Sequence, residues 1–214
     1  MIAELIGFFT SLDAHLTALA QSSPYLFFGV LAAIIFVEAG VVLWPFLPGD
    51  SMLFVAGAVV ALVGLNVHAL VLLLTAAAII GNSVNYAAGR YFGDRAFANP
   101  ESRIFRPVYL QRTREFYDKY GPMSIILGRF VPIVRTFVPF LAGVAPMRYS
   151  TFLFNNIIGG ILWITSLVYA GYLFGNVPWV KSNLSLIIVG ILVISVLPIL
   201  IKLWQEHRRS KRTP

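Results

Sequence analysis

The chain has no cysteine, which excludes disulfides, iron–sulfur ligation and a thiolate nucleophile. It is also short of charge: 12% of its 214 residues are charged and 58% are hydrophobic, whereas a soluble domain carries about 25% charged residues. A mean hydropathy of +0.82 means more apolar surface than a soluble fold of this length hides, so the chain reads as an integral membrane protein. Its three histidines, His15, His68 and His207, are too scattered for a metal site, and no cofactor is implied. The N-terminus lacks the basic region of a signal peptide. Residues 1–23, with Glu4, Asp13 and His15 spread through them, read as a retained amphipathic segment at the interface.

At about 20 residues per crossing, there is room for several spans in one membrane domain, 1–214, with no separate soluble domain. The net charge of +7 does not point to nucleic acid. The basic residues flank apolar segments, with no interleaving of aromatic and basic residues across a soluble face. They read as orientation signals instead.

Two hydrophobic stretches are interrupted alike, by Pro45-Phe46-Leu47-Pro48-Gly49 and by Pro139-Phe140-Leu141-Ala142-Gly143. Glu38 and Asp50 bracket the first break, and Arg129 and Arg135 approach the second. Broken, charged apolar segments line polar cavities inside membrane proteins. The first, residues 25–63, reads as a re-entrant hairpin, and residues 69–88 as a transmembrane helix whose Gly81, Asn82 and Asn85 form a small, polar packing face.

Segment 90–120 holds seven basic residues against four acidic ones, and in the tail, 204–214, Arg208, Arg209, Lys211 and Arg212 face only Glu206. The positive-inside rule places both in the cytoplasm. Three hydrophobic segments lie between them, and three full crossings cannot join two points on one side. The charged, proline-rich one, 123–147, is therefore the second re-entrant hairpin, turning near Pro139, while 151–174 and 184–203 cross. Tyr86-Ala87-Ala88-Gly89-Arg90-Tyr91-Phe92-Gly93 resembles Val168-Tyr169-Ala170-Gly171-Tyr172-Leu173-Phe174-Gly175, a second repeat signal. The expected fold is all-α: two inverted repeats, each a re-entrant hairpin followed by a transmembrane helix, plus a C-terminal transmembrane helix and a cytoplasmic C-terminus.

Arg129 and Arg135 are six residues apart, about 120° and about 9 Å on an unbroken helix. Pro132 between them can bring both guanidiniums onto one ligand, and a phosphate or carboxylate suits paired guanidiniums. The simpler reading is that each arginine neutralises Glu38 or Asp50 and holds the hairpins together. Glu38, well inside an apolar run, is the leading proton-coupling candidate; for Asp50, proton binding and capping of the helix Ser51–Val63 fit equally well. Pro45, Pro48, Pro132 and Pro139 deny helical hydrogen bonds, and Gly49 and Gly143 permit sharp turns.

Glu38, the Pro45-Phe46-Leu47-Pro48-Gly49-Asp50 turn, and Gly128-Arg129-Phe130-Val131-Pro132-Ile133-Val134-Arg135 continuing through Pro139 to Ala142-Gly143 resemble the DedA family of bacterial inner-membrane proteins, related to the VTT-domain scramblases. The resemblance covers nearly the whole chain. It implies two opposed re-entrant hairpins and functionally required acidic and arginine pairs, carried here by Glu38, Asp50, Arg129 and Arg135. It also implies transport dependent on protons or membrane potential, and for some members recycling of undecaprenyl phosphate.

The leading expectation is a proton-motive-force-dependent flippase for a phosphorylated polyprenyl or other anionic lipid, its partners being that lipid, protons and membrane lipids, with homo-oligomerisation left open. A proton-coupled small-solute, ion or drug antiporter is the second class, and a non-transport membrane-assembly protein another. An enzyme is not expected: lipid phosphatase chemistry needs a nucleophile and a general acid beside the arginines, and all three histidines are remote from them in sequence.

Overall fold

The computed structural model describes residues 12–41, 49–96, 115, 117–145, 147–175 and 177, and the regular structure among them is helical. Pro45 and Pro48, most of segment 90–120, the predicted helix 184–203 and the basic tail lie outside the described residues.

α1 (Leu12–Ser22) and α2 (Pro24–Gly40) are separated by Ser23. Pro24 takes the first helical position of α2, where an N–H would have no partner. α3 (Gly49–Val63) ends at Gly64, whose φ of 78° is readily open to glycine. α4 (Val67–Ala96) begins where Asn66 Oδ1 accepts from the His68 and Ala69 N–H groups at 2.9 and 3.1 Å, a side-chain cap. It outruns the expected 69–88 and continues into the polar segment, with no proline in residues 67–99 to interrupt it. The last described helix, Tyr149–Gly175, is α7.

The second interruption differs from expectation. A 3₁₀ turn, Gly121–Met123, leads into α5 (Ser124–Gly128), and α6 (Pro132–Val144) follows. The N–H groups of Arg129, Phe130 and Val131 donate three residues back, to Ile126, Leu127 and Gly128, tightening the chain. Val131 then adopts φ −118° and ψ 107°, the extended conformation favoured before proline, and Pro132 opens α6. The chain therefore turns at Arg129–Val131, not near Pro139. Pro139 is inside α6, where its missing N–H leaves the Arg135 carbonyl without a helical donor. Gly143 is also helical and makes no turn.

Close approach of backbones is what Gly143 provides: a Cβ there would overlap Tyr86 O and crowd Arg90 N. Gly89 on α4 meets the Phe140 backbone in the same way. The pattern recurs between α3 and α7, where a Cβ on Gly57 would overlap Val168 O and crowd Tyr172 N, and one on Gly171 would overlap Phe54 O. Thus α6 is clasped to α4, and α3 to α7. In addition, α2 lies along α4, α5 lies against α7, and α1 covers α2 and α3.

Val67–Phe92 and Tyr149–Gly175 are long and apolar enough to cross a membrane, with mean hydropathies of 2.0 and 1.8. Leu72, Ile80, Phe154, Leu162 and Leu173 are exposed along them, while Glu38, Asn82, Arg129, Arg135 and Asn156 are buried. Apolar outside and polar at the centre is the distribution that lipid demands. The chain is an all-α, multi-span membrane protein.

Candidate functional site

The buried polar groups converge near mid-length of the two long helices, at Asn82 of α4 and Trp163 of α7. Glu38 arrives from the last turns of α2, Asp50 from the first turn of α3, Arg129 from the turn before α6 and Arg135 from α6 itself. All four predicted charges are therefore gathered in one place.

Their pairing is asymmetric. Arg135, 8% exposed, binds both acids: Nη2 donates to Glu38 Oε1, and Nη1 to Asp50 Oδ1 at 2.7 Å. Asp50 lies within α3 rather than before it, and its carboxylate turns to Arg135 and Trp163. Its reading as the cap of that helix is corrected, because a guanidinium and an indole N–H outcompete the neutral backbone donors of the first turn. Gly49 opens α3, where a Cβ would overlap the Glu38 carboxylate, so this glycine supplies room for the acid and not a left-handed turn.

Arg129 has no carboxylate partner among the described residues, although it is 3% exposed. Its Nη2 donates to Asn156 Oδ1 at 2.5 Å and approaches Asn156 O at 3.3 Å. The Asn82 amide satisfies its neighbours in the orientation that accepts from Arg129 Nη2 at 2.9 Å and donates to Ala39 O at 3.1 Å. Asn156 Nδ2 donates to Ile79 O at 3.0 Å. Gly159 and Gly160 leave space on α7 for the arginine side chain. Neutral amides thus orient this guanidinium without neutralising it.

Trp163 joins the two arginines. Its ring centroid lies 5.8 Å from Arg129 Cζ and 5.0 Å from Arg135 Cζ, within cation–π range, and its Nε1 donates to Asp50 Oδ1 at 2.9 Å. Trp163→Phe keeps a ring but removes that donor, and the expected destabilisation is about 1.5–3 kcal/mol, typical of a hydrogen bond to a charged group. Thermal unfolding in detergent checks it; equal stability would deny the indole N–H a holding role.

Three buried atoms here, Glu38 Oε2, Arg129 Nε and Arg135 Nε, have no hydrogen-bond partner among the described residues. Buried polar groups are nearly always satisfied, so this concentration marks a site whose polar capacity is incompletely used. Among the described residues, no three His, Asp or Glu side chains are grouped to hold a metal ion. Pro132 starts α6, Pro139 and Gly143 lie deeper in it, and Pro45 and Pro48 fall outside the described residues.

Sequence reasoning missed Trp163 and Asn156. Asn156 did carry a signal, since Asn155-Asn156 followed by Gly159-Gly160 repeats within an apolar helix the small, polar character of Gly81-Asn82. Trp163 carried none, because an aromatic residue in an apolar span reads as packing.

The VTT domain model matches residues 47–173. Protein DedA of Escherichia coli K12 is 49% identical over 214 residues, covering 99% of this chain and 98% of the relative. Uncharacterized membrane protein Rv0364 of Mycobacterium tuberculosis H37Rv is 40% identical over 183 residues, 85% of this chain and 80% of the relative. Inner membrane protein YqjA of E. coli K12 is 33% identical over 184 residues, 83% of this chain and 84% of the relative. No solved structure matches.

Proposed function

Since the chain belongs to the DedA family of VTT-domain membrane proteins, we propose that it is a flippase carrying a phosphorylated lipid such as undecaprenyl phosphate across the bacterial inner membrane, coupled to protons through Glu38 and Asp50. One observation carries the reading: Arg129 is buried near mid-length of the long helices, and among the described residues it has no acid against it and its Nε is unpartnered. A buried structural charge normally has a counter-charge. Both nearby acids are engaged by Arg135, which leaves Arg129 to receive an anion. A phosphate oxygen pair matches its planar fork.

An arriving phosphate on Arg129 draws Arg135, which faces the same indole, away from the carboxylates. Glu38 then takes a proton on Oε2, the atom that lacks a donor. Loss of that proton on the other side restores the Arg135 pairs and expels the head group, while the lipid tail stays in the bilayer.

The reciprocal glycine clasps support an inverted-repeat architecture, since α3 meets α7 as α6 meets α4. In that architecture α2 with α3, and α5 with α6, are re-entrant hairpins entering from opposite faces, and α4 and α7 cross. The 15 residues of α3 span only about 22 Å, too little to cross alone. The name of YqjA supports the inner membrane as the location, and the basic tail supports a cytoplasmic C-terminus.

Reconstituted protein is expected to speed redistribution of labelled polyprenyl phosphate between leaflets. A proton gradient should raise the rate further, and Glu38→Gln should abolish that dependence. Rates equal to those of empty liposomes, with and without a gradient, overturn the reading. Movement of a small anion but not of the lipid would assign the protein to the antiporters.

A further inference from the structure

A second basic feature lies away from the central site, where the C-terminal part of α4 meets the start of α7. A groove of about 710 Å³ opens there, lined by Tyr86, Arg90, Tyr91, Arg148 and Tyr149 among others. Its floor is fixed: Tyr86 stacks on Phe152 with ring centroids 4.5 Å apart, and its hydroxyl donates to Met147 O at 2.7 Å. Arg90 Nη1 reaches the same hydroxyl at 3.5 Å, which holds the guanidinium at the groove. Arg148 precedes α7 and accepts the Phe152 N–H on its carbonyl, leaving its side chain exposed. Neither arginine meets a carboxylate among the described residues.

We propose that this groove docks the phosphate head group of an anionic bilayer phospholipid. Three features favour that occupant. The two guanidiniums provide charge and paired donors for phosphate oxygens. Both long helices terminate at this end, which sets the groove at head-group depth. Tyr91 is 81% exposed and Tyr149 47% exposed, aromatic groups of the kind that settle between head groups and acyl chains. The lipid's phosphate lies between Arg90 and Arg148, and its glycerol and upper chains lie along the tyrosines. The proposal is independent of the transport reading, because none of these residues belongs to the central site.

The test uses the full chain in a neutral detergent, titrated with phosphatidylglycerol, phosphatidylcholine or inorganic phosphate while its unfolding temperature and lipid retention in native mass spectrometry are followed. Phosphatidylglycerol is expected to raise the unfolding temperature and to remain bound, whereas the other two leave the protein unchanged. Arg90→Gln and Arg148→Gln, made singly so that each fold is disturbed as little as possible, should each weaken phosphatidylglycerol binding about fivefold, the usual worth of one arginine at an anionic surface. The titrations are repeated in an Arg129→Gln background, which removes binding at the interior arginine; the fivefold losses in the groove variants should persist there, which separates the two sites. Equal affinity in wild type and both groove variants overturns the proposal, as does the absence of any response to phosphatidylglycerol. A response to inorganic phosphate equal to that of the lipid would assign the groove to a soluble anion and overturn it as well.

Discussion

Arg135→Gln is expected to destabilise the protein strongly rather than merely silence it. Arg135 is the only cation paired with Glu38 and Asp50 among the described residues, and Glu38 is 3% exposed. Removing one member of a buried ion pair costs about 3–5 kcal/mol, because the partner charge stays buried without compensation. Against a total stability of about 5–15 kcal/mol this is a large share. For a chain of this size it corresponds to a fall of about 6–20 °C in unfolding temperature. Thermal unfolding and size-exclusion profiles in detergent measure it. Adding Glu38→Gln to Arg135→Gln should recover much of the loss, since Asp50 is 28% exposed and keeps the Trp163 hydrogen bond. Undiminished stability of Arg135→Gln alone would show that the triad does not hold α2, α3 and α6 together.

The opposite result is expected for Arg129→Gln: stability is kept or raised while transport falls to the rate of empty liposomes. A charged side chain at the centre of a membrane helix costs about 2.5–3.5 kcal/mol, and no carboxylate among the described residues offsets that cost. Glutamine retains a donor for Asn156 and removes the charge. Arg129→Lys should not rescue transport, because an ammonium lacks the planar fork. Parallel unfolding and leaflet-redistribution measurements check both halves. A strongly destabilised Arg129→Gln would make this arginine structural, and a fully active Arg129→Lys would favour an assembly role over phosphate handling.

The four charges were legible because an ionisable residue inside an apolar run is costly and stands out against its neighbours. Their partners were not. Sequence allowed each arginine one acid, whereas tertiary packing brings both acids to Arg135 and leaves Arg129 with two asparagines. The likeness of Tyr86–Gly93 to Val168–Gly175 puts Gly89 opposite Gly171, and these two glycines make the matching close contacts. The hairpin motifs follow another register. By contact, Phe140-Leu141-Ala142-Gly143 corresponds to Phe54-Val55-Ala56-Gly57, not to Phe46-Leu47-Pro48-Gly49, which it resembles in sequence. Prolines misled for a physical reason. Pro139 lies in mid-helix, where a membrane helix tolerates one lost hydrogen bond, and Pro132 turns the chain through its effect on Val131.

The glycine clasps also set an order of events on the ribosome. Gly57 is fitted to Val168 and Tyr172, which are translated long after it. At about 5–20 residues per second, α7 is completed on the order of 5–20 s after α3. For more than half of that interval Glu38 and Asp50 are present before Arg135 has been made. The N-terminal half thus enters the bilayer as an acidic, unfinished half-site, and a nascent chain stopped before α7 has neither the clasp for α3 nor the indole that closes over the charges.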